Sequence, residues 1–173
     1  MESNPEKLIS TGKEAFEKGD FETAIQLFSD AAAAYTAQEN LPDAAEAKNN
    51  LSVALLQADR PDESLEAVMG TDTIFAEAGD LRRQGMALGN QAAALDALGR
   101  DNEALTMYEK AAALFAQIGE GDLQAIVMKS SAAIKLRNGN LSDSATTMIG
   151  SLNATKKPTL FQRFLKFLLR LRS

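Results

Sequence analysis

The chain of 173 residues contains no cysteine, no histidine and no tryptophan. Without cysteine it can form no disulfide, and without cysteine or histidine it lacks the usual ligands of zinc and the commonest general base. Neither GxxxxGK[ST] nor GxGxxG, the common phosphate-binding patterns, occurs in it. We therefore expect a protein that is not an enzyme and that holds no cofactor and no metal.

Long apolar runs are also missing. No stretch of 18 or more apolar residues occurs, and the first ten residues, MESNPEKLIS, lack the basic-then-apolar layout of a secretory signal. Only 4 prolines interrupt a chain in which alanine and leucine are abundant, a composition that favours helices. We expect an all-α protein of the cytoplasm.

What the chain does contain is a repeat of forty residues. One turn position recurs at that spacing, as Gly19, Asp59, Gly99 and Gly139. Each of these residues opens a segment that begins a helix, and these segments are GDFETAIQLF, DRPDESLEAV, GRDNEALTMY and GNLSDSATTM. A sequence that repeats itself in this way predicts stacked units, because no single unit can bury its own apolar face.

Other positions recur at the same spacing and define the unit. The recurring sets are an aromatic position (Tyr35, Phe75, Phe115), a second turn position (Glu39, Gly79, Gly119), a capping position (Asn40, Asp80, Glu120) and a small position (Ala24, Ser64, Ala104, Ser144). Glycine accepts the left-handed turn at a helix end, and short polar side chains cap the following helix. Small residues allow two helices to approach closely. Each unit is thus predicted to be a helix, a tight turn, a second helix and a capped loop.

These motifs resemble the tetratricopeptide repeats. The residues that carry the resemblance are Gly12, Ala15, Gly19-Asp20-Phe21, Ala24, Phe28 and Ala31 in the first unit, and Gly99, Ala104, Tyr108 and Ala111 in the third. The forty-residue spacing is similar to the variant found in kinesin light chains and in spindle-orientation scaffolds. The resemblance implies a right-handed α-solenoid of four helix hairpins, which acts as a scaffold for protein partners.

We divide the chain accordingly. The solenoid is expected over residues 1–153, with repeats at about 5–38, 42–78, 82–118 and 123–153, followed by a linker, 154–158, and a helix, 159–173. The fourth unit departs most from the pattern. Lys135 stands at an apolar position, and we expect the loop from Gly119 to Asp122 to be one or two residues longer than its equivalents.

The resemblance also implies a ligand site, because such repeats bind peptides or proteins on a concave face lined by the first helix of each unit. The expected site residues are Lys13, Asn49, Asn50, Val53, Met86, Asn90, Lys129 and Arg137. Some members clamp a terminal carboxylate with several cations. We expect no such clamp here, because Met86 and Asn90 stand where cations are needed.

One column of this face is regular: Ser10, Asn50, Asn90 and Ser130 are forty residues apart. An amide can donate to and accept from the backbone of a peptide, so the column could hold an extended chain. Alternatively, its side chains bond to neighbouring helices and serve packing alone.

The last 18 residues form a second signal. They contain six basic and no acidic residues, whereas the rest of the chain has a net charge of −12. Residues 159–173 are predicted to form a helix with a narrow polar stripe, Gln162, Arg163, Lys166 and Arg170, while Arg172 falls outside this stripe. The wide apolar side is formed by Leu160, Phe161, Phe164, Leu165, Phe167, Leu168, Leu169 and Leu171.

Three arrangements could bury this apolar side, and the sequence leaves them open. The helix could cap the last repeat, lie on an anionic membrane surface as a peripheral anchor, or dock into a groove of its own or a neighbouring molecule. Docking into a neighbour would make the protein a self-assembling homo-oligomer. Nucleic acid is not an expected partner, because the body is acidic and lacks an extended basic surface.

Overall fold

The computed structural model describes residues 4–155. Within them the chain forms nine α-helices and no strand: α1 (Pro5–Glu17), α2 (Phe21–Ala37), α3 (Leu41–Gln57), α4 (Pro61–Val68), α5 (Thr71–Glu77), α6 (Leu81–Ala97), α7 (Asp101–Gln117), α8 (Gly121–Arg137) and α9 (Leu141–Ala154). The first helices of the four repeats are α1, α3, α6 and α8. Each packs against the second helix of its own repeat, and α3, α6 and α8 also pack against the second helix of the preceding repeat, so the all-α repeat solenoid is confirmed.

The turn inside each hairpin adopts a left-handed backbone at the predicted position. Gly19, Gly99 and Gly139 have φ of 78°, 71° and 76°, and Asp59 has φ of 59°. At Gly19 this conformation lets the amide of Asp20 donate to the carbonyl of Ala15 at 2.9 Å, which closes α1 before α2 begins. The prediction from the forty-residue spacing is confirmed, including the position where aspartate replaces glycine.

The loops between repeats follow the predicted capping pattern in two of three cases. The side chains of Asn40 and Asp80 accept hydrogen bonds from the third amide of the following helix, that of Asp43 and of Arg83. Glu120 makes no such bond, so the prediction for this residue is wrong. Its longer side chain instead accepts a hydrogen bond from Arg82 in the preceding repeat, at 3.4 Å.

Small residues allow the hairpins to close, as predicted. Ala24, Ser64, Ala104 and Ser144 are all buried. Glycine has the same effect where an aromatic ring crosses a first helix. A Cβ atom at Gly12 would lie 2.7 Å from the ring of Phe28, which is closer than packed atoms approach one another.

The second repeat differs from the expected pair of continuous helices. Its second helix is divided into α4 and α5 by Met69 and Gly70, and Gly70 has φ of 79°. Thr71 stabilises the break, because its hydroxyl donates to the carbonyl of Val68 at 2.8 Å. The single second helix predicted for this unit is therefore wrong, although the position of Phe75 in the repeat is unchanged.

The fourth repeat is regular where irregularity was expected. α8 begins at Gly121, forty residues after the start of α6, so the prediction of a longer loop is wrong. Lys135 is accommodated at its partly buried position because its ammonium group reaches Thr147 Oγ1 at 3.1 Å and Glu109 at 3.8 Å.

The predicted basic helix, 159–173, and most of the linker before it lie outside the described residues. Among residues 4–155, no helix combines the length and the apolar character that crossing a bilayer requires.

Candidate functional site

The first helices of the repeats form one continuous surface. We call it the first-helix face and define it as the side of α1, α3, α6 and α8 that carries Glu6, Val53, Met86 and Ile126. Neighbouring helices are joined across it: Asn90 donates to Asn49 Oδ1 at 3.5 Å, and Arg83 donates to Glu46 at 3.2 Å. These bonds link α6 to α3.

The first-helix face contains a groove between α6 and α8 with a volume of about 280 Å³. It is lined by Gly85, Met86, Gly89, Asn90 and Ala93 of α6, by Tyr108 and Phe115 of α7, and by Leu123, Ile126, Val127 and Ser130 of α8. Most of these side chains are apolar. Met86 is 40% exposed and Ile126 is 58% exposed, so two large apolar side chains flank the opening in water.

Two glycines of α6 give the groove its depth. A Cβ atom at Gly85 would lie 2.8 Å from Phe115 Cε1, so only glycine admits this ring beneath α6. At Gly89 a Cβ atom would meet only Val127 Cγ1, at 3.5 Å, which is ordinary contact. A Cβ atom therefore fits at Gly89 in contact with Val127, and a larger side chain there would extend into the groove.

The floor of the groove also has a polar element. Burial raises the pKa of the Tyr108 hydroxyl, and a hydrogen bond with Ser130 opposes that rise in pKa. Tyr108 therefore stays protonated near neutral pH. A neutral hydroxyl in an apolar groove can orient a ligand by hydrogen bonding, but it supplies no base or nucleophile.

Two of the residues predicted to bind a ligand, Met86 and Asn90, line this groove, as does Ser130 of the regular column. Asn49 is only 7% exposed, and its side-chain oxygen accepts from Asn90 and lies 3.4 Å from the Thr71 hydroxyl. The amide nitrogen of Asn50 is buried and has no hydrogen-bond partner. Side chains of this column therefore both bond to a neighbouring helix and line the groove between α6 and α8.

The remaining predicted residues lie outside the groove. Lys13 and Lys129 are exposed on α1 and α8, and Val53 is partly buried on α3. Arg137, at the end of α8, donates to Asp96 at 2.7 Å and also to Asp101, and these bonds raise its pKa. Its guanidinium is engaged in joining the third and fourth repeats.

Eight lining residues were not predicted as ligand-binding residues: Gly85, Gly89, Ala93, Tyr108, Phe115, Leu123, Ile126 and Val127. The repeat contained the signal for three of them, because Gly89, Ala93 and Ile126 each follow a predicted site residue by forty residues, namely Asn49, Val53 and Met86. Gly85, Tyr108 and Phe115 carry no such signal, since aromatic and small residues at these spacings are typical of helix packing anywhere.

At the other end of the face the equivalent positions are acidic. Burial raises the pKa of Tyr35, and the negative charges of Asp43, Glu6 and Glu46 raise this pKa further. Arg83 forms ion pairs with Asp43 and Glu46. In the part of the chain described, no group of three or more acidic side chains is arranged to hold a metal ion.

No protein-family model and no curated protein matches this sequence. Solved structures do resemble the fold. The nearly identical TPR-like repeats of a putative kinesin light chain from Podosopora anserina match with a TM-score of 0.74 at 16% identity, over 87% of this chain and 76% of that one.

Two other solved structures give similar results. Residues 41 to the end of MamA from Desulfovibrio magneticus RS-1 match with a TM-score of 0.66 at 16% identity, over 87% of this chain and 75% of that chain. BtubC (BKLC) from P. vanneervenii matches with a TM-score of 0.71 at 19% identity, over 91% of this chain and 64% of that chain. Identities this low speak for the fold alone. In fold, the chain is a solenoid of tetratricopeptide-like repeats.

Proposed function

We propose that this protein is an interaction scaffold that binds a peptide or a segment of another protein in the groove between α6 and α8. The observation that carries the proposal is the apolar groove itself, flanked by the exposed side chains of Met86 and Ile126. An exposed apolar concavity is a disadvantage for an isolated protein and marks a surface that a partner covers.

The chemistry of the groove supports binding rather than catalysis. Its polar groups are an amide (Asn90) and two hydroxyls (Tyr108 and Ser130). These groups orient a ligand through hydrogen bonds, while the exposed side chains of Met86 and Ile126 offer apolar surface. A ligand with two or three large apolar side chains would bury Met86 and Ile126, at roughly 25 cal/mol for each Å² of apolar surface removed from water.

The groove can be tested without a known ligand by selecting peptides from a random twelve-residue display library on the immobilised full chain. In the variant Gly89→Leu the new side chain fills the groove, and leucine is also favoured over glycine within a helix. We expect the enriched peptides to bind this variant about tenfold or more weakly, a loss of at least about 1.4 kcal/mol.

A matched control adds the same side chain elsewhere. Ala113 is exposed and lines a different depression, on α7, so Ala113→Leu should leave peptide affinity unchanged. The proposal is contradicted if no peptide is enriched, or if both variants bind the selected peptides as well as the unmodified chain does.

A second function concerns the C-terminal segment, 159–173. We propose that it attaches the scaffold to anionic membrane surfaces, because it combines three phenylalanines and five leucines with four basic residues and no acid. Such a segment can lie at the headgroup level with its apolar side immersed and its cations near anionic lipid. End-capping and self-assembly are the competing roles for the same residues.

Sedimentation with vesicles tests this attachment. We expect the full chain to sediment with vesicles of phosphatidylcholine and phosphatidylserine but not with phosphatidylcholine alone. The variant Phe164→Glu, Leu168→Glu should stay in the supernatant. A control with the same change of charge, Gln162→Glu, Ser173→Glu, keeps the apolar side and should retain most of the binding.

Equal recovery of the full chain and the first variant in the supernatant would remove the membrane role. Light scattering on the same samples gives the mass in solution. Concentration-dependent oligomers that are lost on Leu165→Glu would favour the self-assembly role instead.

A further inference from the structure

The groove between α6 and α8 has a counterpart one repeat earlier. Every residue that lines the groove has an equivalent forty residues before it in the sequence, and these equivalents belong to α3, α4, α5 and α6. α3 and α6 pack directly, with Cα atoms within 8 Å of one another at several positions, whereas α6 and α8 make little contact of this kind. Equivalent positions therefore form a groove in one place and a closed interface in the other.

Asn49 fills the closed interface at the position equivalent to Gly89. It is buried, its side-chain oxygen accepts a hydrogen bond from Asn90 of α6 at 3.5 Å, and the same oxygen lies 3.4 Å from the Thr71 hydroxyl of α5. Gly89 has no side chain, and a Cβ atom there would meet only Val127. Asparagine thus joins neighbouring elements where glycine leaves room for a groove.

Arg83 closes the same interface at the position equivalent to Leu123. Its guanidinium lies 5.0 Å from the centre of the Phe75 ring, which corresponds to the aromatic floor of the groove. It also donates to Asp80 at 2.6 Å and, across the interface, to Glu46 of α3 at 3.2 Å. Because the side chain of leucine has no hydrogen-bond donor, Leu123 cannot form an equivalent link from α8 to α6.

The closed interface carries a cost at Asn50. The side-chain nitrogen of Asn50 is buried without a hydrogen-bond partner, whereas its equivalent, Asn90, lines the groove and donates to Asn49. A buried donor without a partner destabilises the packed form. The contacts of Asn49 and Arg83 offset this cost and hold the interface closed.

We infer that the interface between α3 and α6 is a closed copy of the ligand groove, and that Asn49 and Arg83 exclude a ligand from it. Residue identity at two positions of the repeat then decides where a ligand binds. Glycine and leucine leave the groove open, while asparagine and arginine fill its counterpart. The inference rests on the proposed function of the groove and names the residues that confine a peptide to α6 and α8.

Replacing both residues tests the closure. In the full chain, the double variant Asn49→Gly, Arg83→Leu carries at the closed interface the residue types of the open one. Ala87 is 0% exposed and packs with Ala45 and Phe75 at this interface. The chain has no cysteine of its own, so Ala87→Cys reports on opening. We expect this thiol to react with a soluble disulfide reagent about tenfold faster in the double variant than in the otherwise unmodified chain.

A matched control makes the same two changes on another surface. Asn102 and Arg100 are exposed at the start of α7, so Asn102→Gly, Arg100→Leu removes an asparagine and an arginine away from the interface. This control should leave the reactivity of the thiol at position 87 unchanged. It separates opening of the interface from a general loss of stability.

A second peptide selection tests whether the opened interface takes a ligand. Twelve-residue peptides are selected on the double variant without the cysteine. We expect some of them to bind this variant equally well after Gly89→Leu, which fills the original groove. The same peptides should not bind a chain that carries Gly89→Leu alone, because its interface between α3 and α6 is still closed.

Equal thiol reactivity in the double variant and the control would overturn the inference, as would the loss of every selected peptide on Gly89→Leu. The proposed function is judged separately, through peptides selected on the unmodified chain. If those peptides bind the groove while the thiol stays unreactive in the double variant, the groove is a ligand site but Asn49 and Arg83 do not confine the ligand to it.

Discussion

Replacing Phe115 by alanine is expected to lower the free energy of unfolding by about 3–5 kcal/mol, the usual cost of removing a buried aromatic ring. Phe115 is 2% exposed, and its ring lies between two repeats. It rests on Gly85 of its own repeat and contacts the floor of the groove formed with α8. A domain of this size is commonly stable by about 5–15 kcal/mol, so the loss is large and is measurable by urea unfolding.

Substitutions of Gly85, which the ring of Phe115 contacts, test this packing more specifically. Gly85→Ala alone should destabilise the protein, because its Cβ would meet the confined ring at 2.8 Å. In the Phe115→Ala background the same change should stabilise the protein, since the space is vacated and alanine is favoured over glycine in a helix by about 1 kcal/mol. Gly89→Ala is the control and should be stabilising in both backgrounds. The same sign for Gly85→Ala in both backgrounds would contradict the packing described.

Gly70 and Gly150 show how far the fold could be predicted from the sequence. The turn positions were predictable because four equivalent residues, including Asp59, recur every forty residues and all adopt a left-handed backbone. Gly70 and Gly150 are eighty residues apart and occupy the same position of the repeat. Yet Gly70 breaks its helix, whereas Gly150 lies within the continuous α9, where a Cβ atom would collide with Met128 Cε. Glycine allows both conformations, and packing from another helix decides between them.

The candidate site was predictable to a similar extent. Met86 and Asn90 were named because the family pattern places their positions on the binding face, and both line the groove. The engagement of Arg137 could not be predicted, because its partners Asp96 and Asp101 belong to the preceding repeat and become neighbours only when the repeats stack. The depth of the groove likewise depends on the approach of Phe115 to Gly85, which is a consequence of packing.

The central claim is that forty residues form the structural unit. Its most direct test compares the deletion of one whole repeat with the deletion of half a repeat. Removing residues 81–120 joins Asp80 to Gly121 and keeps the order of first and second helices. Removing residues 81–100, half as many, joins α5 directly to α7 and leaves a second helix without its partner.

Circular dichroism with urea unfolding provides the comparison. The account predicts that the forty-residue deletion keeps the helical signal per residue and a cooperative transition at lower urea, because stability depends on the interfaces between neighbouring repeats. The twenty-residue deletion is expected to lose the cooperative transition. If the shorter deletion unfolds cooperatively, or if the longer one does not, the forty-residue unit is contradicted.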